Sequence, residues 1–250
     1  MKKTLLFLIW IAGLAFANAQ SPLSFKLDDK STLQINLGMD AYYSYDARSA
    51  QDDDIVLRDM AGTCTYNDEM RLNLVYLSFQ YNSENIHSKI AFQHGDAPLI
   101  MAPDEKKFIK FLKNAYFGVK VMDRLWLDFG YMNNPIGIES SELRKNYLST
   151  VSGTGFIDPG NMLGVSINYQ ISDCLASQLS YFNSYSIVDK NTKNKSVGWM
   201  LSYSPNKDFV LMYAGQAGDE STKGMPSQIQ VFNSLSLMCD LTDRLSVAAQ

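Results

Sequence analysis

Past residue 15 this chain of 250 residues contains no long apolar run. A helical membrane span needs about 20 apolar residues in succession, so a multi-helix membrane protein is excluded. Positive charge is scarce as well. Lys and Arg number 22 against 26 Asp and Glu, a formal net charge of -4, which is the wrong sign for a general nucleic-acid binder. Charged residues make up only 19%, while 46% are apolar and 12% aromatic, too apolar for a disordered chain. Cysteine is rare: Cys64, Cys174 and Cys239 are odd in number and far apart, so neither a disulfide nor a metal site is predicted. Histidine is rarer still, with only His87 and His94. Helical periodicity is missing beyond the N-terminus, and Gly153-x-Gly155 precedes a strand pattern, so it is no dinucleotide fingerprint. No cofactor is expected.

The N-terminus reads as an export signal. Lys2 and Lys3 are followed by apolar Thr4 to Ala15 and then by Ala17-Asn18-Ala19, a small-x-small cleavage pattern. Cleavage after Ala19 would leave residues 20–250 as the mature chain. Gln20 is not the cysteine of a lipoprotein anchor. Loss of the two lysines takes the formal charge from -4 to -6.

Thereafter the dominant period is two. Leu33, Ile35, Leu37, Met39, Ala41, Tyr43 and Tyr45 alternate with mostly polar residues, as in a strand with one dry and one wet face. The same alternation recurs over 115–121, 125–131, 163–169, 197–203 and 229–241. Those six dry faces carry no charge, and Asn233 is their one polar interruption. Weaker strands are legible at 71–81, 88–95, 174–182 and 209–214, and a last one begins at Leu245. The fold is all-β, with about 11 strands in view.

Such a sheet can bury its dry face against a second sheet or turn it to lipid. Four features predict the antiparallel transmembrane barrel. Connections alternate in length: Met122-Asp123, Ser172-Asp173, Ser204 to Lys207, Thr242-Asp243 and a modest one at 82–87 are short. Those at 46–69, 96–113, 132–160, 183–195 and 215–227 are long, as for periplasmic turns and external loops. Tyrosines end the dry faces in two belts, Tyr43, Tyr45, Tyr131, Tyr181 and Tyr213 outside and Tyr81, Tyr169 and Tyr203 inside. Segment 33–45 exceeds the 9–11 residues a tilted span needs. Gly38, Gly118, Gly130, Gly164 and Gly198 all lie on the wet, concave face.

The segment Gly130-Tyr131-Met132-Asn133-Asn134-Pro135-Ile136-Gly137-Ile138-Glu139 resembles the OmpL-like β-barrel porins of Gram-negative outer membranes. So do the following loop through Asn146, Ser149 and Gly155, the strand opening at Gly164-Val165, the strand end Phe92-Gln93-x-Gly95-Asp96 and the strand 179–183. The resemblance implies an outer-membrane channel rather than an enzyme. Its partners would be membrane lipid, the outer-membrane assembly machinery and small polar solutes. Barrels of this kind usually end on an aromatic residue and an even strand count, whereas Leu245-x-Val247-x-Ala249 stops at Gln250; further strands are therefore expected beyond it.

A porin makes and breaks no bonds. Selectivity follows the width and charge of its narrowest ring. The wet faces nominate Gln34, Asn36, Asp40, Lys89, Gln93, Lys120, Asp128, Ser166 and Asn168 as pore lining, a mixed set suited to a general polar path. The longest loop, 132–160, is the candidate constriction: Pro135 and Gly137 shape it, and Glu139, Glu142, Arg144 and Lys145 could set a transverse field. Asp52, Asp53, Asp54 and Asp59 lack calcium-loop spacing and read as hydrated charge. Two other classes remain open, an outer-membrane barrel enzyme using His94 with Asp96, and an adhesive or structural barrel.

Overall fold

The computed structural model describes residues 22–45, 63–102, 104–140, 146, 148, 150–152, 155, 158–186, 194–221 and 226–250. Among them are twelve strands: β1 (Leu23–Lys26), β2 (Thr32–Tyr43), β3 (Met70–Asn82), β4 (Ile86–His94), β5 (Leu112–Met122) and β6 (Leu125–Met132), followed by β7 (Met162–Ser172), β8 (Leu175–Phe182), β9 (Ser196–Asn206), β10 (Phe209–Asp219), β11 (Ile229–Thr242) and β12 (Leu245–Ala249). Two short helices, α1 (Asp96–Met101) and α2 (Lys107–Phe111), lie between β4 and β5. The strands form one antiparallel sheet in sequence order, each bonded to its chain neighbours. The leader and the acidic residues Asp52 to Asp59 fall outside the described residues.

The expected count of 11 is corrected to twelve, because β1 escaped the period-two reading. Leu23 and Phe25 supply only two apolar positions beside the leader, too few to establish a period. What secures the strand is its partner, with Leu23 opposite Ile35 and Phe25 opposite Leu33. Two further corrections follow from backbone pairing. Strand β9 runs on through Asn206, so the predicted turn at 204–207 shrinks to Lys207-Asp208, and β10 continues to Asp219, well into the predicted loop at 215–227. The alternation of short and long connections otherwise holds.

Burial is inverted relative to a water-soluble sandwich. Leu37, near the middle of β2, is 65% exposed, and Leu235 of β11 is 62% exposed. Ser166, midway along β7, is 1% exposed, and Gln216 of β10 is fully buried. Charged and polar residues make up 17 of the buried positions, against 13 apolar ones, among the described residues. Side chains alternate across a strand, so one face is polar and covered while the other is apolar and uncovered. Hydrocarbon is the solvent that favours this arrangement. On the apolar face Phe117 stacks on Phe129 with ring centroids 5.5 Å apart. Asn233 is accommodated there because the Tyr213 hydroxyl donates to its Oδ1 at 2.7 Å.

The sheet is wrapped rather than flat. Val151, in the connection between β6 and β7, packs in one buried cluster with Leu74 and Tyr76 of β3. From the same connection the Asn134 side-chain amide donates to Gln216 of β10 at 2.5 Å. Strands β3 and β10 stand seven places apart in the sheet order, so one segment meets the inner face of both only inside a curved wall. The tyrosine belts follow this geometry with one departure. Tyr43, Tyr181 and Tyr213 are exposed on the outer face, but Tyr131 is drawn into a cavity beneath the β4–β5 connection.

Candidate functional site

The register assembles a continuous inner row from residues scattered along the chain. Directly paired, in order across β4 to β10, are His87, Gly118, Asp128, Ser166, Ser180, Gly198 and Gln216. Every member is polar or glycine. The Ser166 and Ser180 hydroxyls are 2.7 Å apart and bonded, and the Gln216 amide donates to Ser196 Oγ at 2.9 Å.

All nine nominated lining residues fall on this inner face by alternation. Gln34 pairs with Ser24 and Gln80, and Lys89 lies opposite Gln80 and Tyr116. Asn36 donates to the Tyr76 hydroxyl at 3.4 Å, and Asp40 accepts from Asn73 at 2.7 Å. The Gln93 amide donates to the Lys110 carbonyl at 3.2 Å. Lys120 pairs with Asp123 at 3.0 Å, beside a short turn. Asn168 donates to Asp128 Oδ2 at 2.9 Å.

The row's most constructed feature is a contact that sequence spacing does not reveal. His87 is not at a turn, as its position suggested, but within β4, and its Nε2 stands 2.9 Å from Asp128 Oδ1 on β6. The imidazole also stacks on Trp126, with centroids 4.6 Å apart. These side chains meet across the intervening strand because residue 118 has none. A Cβ at Gly118 would lie 2.1 Å from the carboxylate oxygen and 2.2 Å from the imidazole nitrogen. Gly118→Val should therefore split the pair and crowd the inner face, costing about 1–3 kcal/mol of stability. Denaturant titration in lipid vesicles measures that loss; a variant as stable as the parent would show that the glycine bridges nothing.

The His94–Asp96 dyad is not assembled. His94 is exposed on the outer face, while the Asp96 carboxylate is taken by Arg71, with Nε to Oδ2 at 2.6 Å and Nη2 to Oδ1 at 2.9 Å. The Tyr42 hydroxyl donates to the same carboxylate at 3.0 Å. Burial is the largest influence on Asp96 and pushes its carboxyl up. The hydrogen bonds from Arg71 and Tyr42 outweigh it and leave the group below its usual range. Because Asp96 opens α1, this clamp draws the β4–β5 connection against the inner wall.

Among its described residues, the β6–β7 connection, 133–161, reaches well beyond its own strands. Besides Gln216 it meets Gln250, whose side-chain amide donates to Asp158 Oδ1 at 2.9 Å and whose Oε1 accepts from the Ile138 amide at 3.2 Å. By register Gln250 lies beyond Ala249, which pairs with Leu237 in the middle of β11, so this contact sits near mid-height of the wall, beside exposed β12. The loop's two limbs touch at Gly137, whose φ of +88° suits glycine, and a Cβ there would lie 2.0 Å from Asp158. Pro135 precedes the buried Ile136 in the same limb. Glu139 turns inward upon its own loop: Oε1 accepts from the Ser152 amide at 2.9 Å, and Oε2 is buried with no hydrogen-bond partner among the described residues. Glu142, Arg144 and Lys145 lie outside the described residues. Burial pushes the Asp158 carboxyl up, the Gln250 bonds pull it down, and the Glu139 charge raises it, with a net upward shift. Two cavities, of about 190 and 170 Å³, remain around this loop. No group of three or more His, Cys, Asp or Glu residues suited to a metal ion occurs among the described residues.

Comparison with known proteins agrees with this architecture. The family model described as "Putative beta-barrel porin-2, OmpL-like" matches residues 32–250. No curated protein matches the chain.

Proposed function

The chain belongs to the OmpL-like β-barrel porin family, and from that premise we propose that it gives small polar solutes a passive, water-filled route across the outer membrane. The leader at residues 1–19 would deliver it there, and the strands that follow would form the barrel wall. The observation that carries this reading is the inverted burial, with a polar row on the covered face and leucines on the uncovered one. The pathway is lined by Gln34, Asn36, Asp40, Lys89, Gln93, Lys120, Asp128, Ser166 and Asn168. It is narrowed by the 133–161 loop, which holds itself across the interior through Asn134, Asp158 and Val151. No step of this function breaks a covalent bond. Liposome swelling in sugar solutions tests it: swelling that slows as the sugar grows larger is expected. Correctly inserted protein that gives no swelling would favour an adhesive or structural barrel.

The raised Asp158 carboxyl gives the pathway a pH dependence. Its proton is held in the folded chain at a pH where an ordinary carboxyl near 3.8 has lost it. This contribution to stability is therefore present at low pH and declines as pH rises through the folded value. Lowering the pH from 7 should neutralise Asp158 ahead of exposed carboxylates and shift the ion preference toward anions. The reversal potential in a KCl gradient reads this out, and Asp158→Asn should remove that part of the change. An unaltered pH profile in the variant would assign the titration elsewhere.

A further inference from the structure

The β4–β5 connection carries apolar side chains that the solute pathway does not use. Leu99 of α1 and Phe108 and Phe111 of α2 are exposed, Phe108 to 67%. With Pro98 they line an open groove of about 470 Å³, overwhelmingly apolar, that is bordered by Lys107, Lys110, His94 and, at its inner end, Gln93, and by no acidic residue. An exposed apolar surface of this kind marks a binding face. The groove is also continuous with the lipid-facing wall. Phe92, on the outward side of β4, contacts Phe111 with ring centroids 5.6 Å apart, and His94 extends the same face by one more pair. The connection is one of the long ones, so it lies at the outer rim, where hydrocarbon gives way to headgroups.

We propose that this groove binds a phosphorylated, acylated glycolipid of the outer leaflet, with one acyl chain along Leu99, Phe108 and Phe111 and a headgroup phosphate at Lys107. The proposal rests on the outer-membrane reading above. The apolar floor selects a chain, the basic border selects an anion, and only an outer-leaflet lipid offers both at this height. Phosphate at the rim gains from each nearby lysine, and aromatic rings at the same level suit the interfacial zone. Pore conduction does not require the two side chains to be varied, because Lys107 and Phe108 are exposed and take no part in the inner row.

Native mass spectrometry of the full-length mature protein in detergent, titrated with diphosphoryl lipid A, tests the assignment. Retention of lipid A in preference to phosphatidylethanolamine is expected, and Lys107→Glu should weaken it about fivefold or more. Phe108→Ser, at an exposed position that leaves the fold undisturbed, should weaken it independently. Equal retention of lipid A by the parent and both variants, or no preference over phosphatidylethanolamine, would overturn the site. Planar-bilayer conductance recorded in parallel separates the two readings. A silent parent that still binds lipid A removes the pore, while a conducting parent indifferent to lipid A removes only the lipid site.

Discussion

Leu37→Arg should destabilise the inserted protein by about 2–4 kcal/mol, the cost of a cation on the lipid face near the bilayer midplane. Leu37 sits halfway along β2, opposite Leu77, and both are exposed. In a water-soluble sheet the same exchange at an uncovered position would change stability by no more than about 0.5 kcal/mol. The sign and size of this one effect therefore report the medium. Urea titration in lipid vesicles, followed by tryptophan emission, gives the measurement. The control is Gln80→Asn, on the opposite face of the next strand, where the side chain lies between Gln34 and Lys89. A Leu37 variant indistinguishable from the parent would place water, not acyl chain, against β2, and the pore would fall with it.

Arg71→Ala should cost about 3 kcal/mol, because it strands a buried carboxylate. Asp96 has only 8% of its side chain exposed and receives two hydrogen bonds from the guanidinium. The guanidinium in turn lies 3.6 Å from the centre of the Tyr66 ring and pairs with Glu69 at 2.9 Å. Without Arg71, burial dominates and the Asp96 carboxyl rises. In the parent the folded value is depressed, so the clamp's contribution is present above about pH 4 and is lost as pH falls through the folded value. Arg71→Ala should flatten that acid dependence. The double variant Arg71→Met with Asp96→Leu should regain much of the loss, since it leaves no unpaired charge. Protease cleavage within 95–111 should rise sharply in the single variant and little in the double. Unchanged cleavage and stability would mean that the clamp does not hold the connection.

The wall is legible in the residues alone, because a lipid-facing strand must alternate and a charged residue on the dry face is costly. Leu163, Val165, Ile167 and Tyr169 mark β7 by themselves. What stays hidden depends on partners. Strand β1 exists through its pairing with Thr32 to Ile35, and four residues show no period alone. The two short helices escape a periodicity reading because five or six residues make less than two helical turns. His87 and Asp128 are 41 residues apart, and nothing short of the register places a glycine between them. His94 and Asp96 look like neighbours on one face, yet the bend at Gly95, with φ of +133°, sends them apart. In the 133–161 loop, Pro135 and Gly137 signal a shaped segment, whereas its anchors on Gln216 and Gln250 depend on how the wall curves.

Because each of the twelve described strands pairs with the strands next to it in sequence, the wall can be laid down like a zip fastener, hairpin upon hairpin. The crossing ties of residues 133–161 are different. They join β3 to β10, and the second of these arrives long after the loop itself has been threaded. The tie to Gln216 therefore closes only once β10 is in place, scaffold first and restriction last.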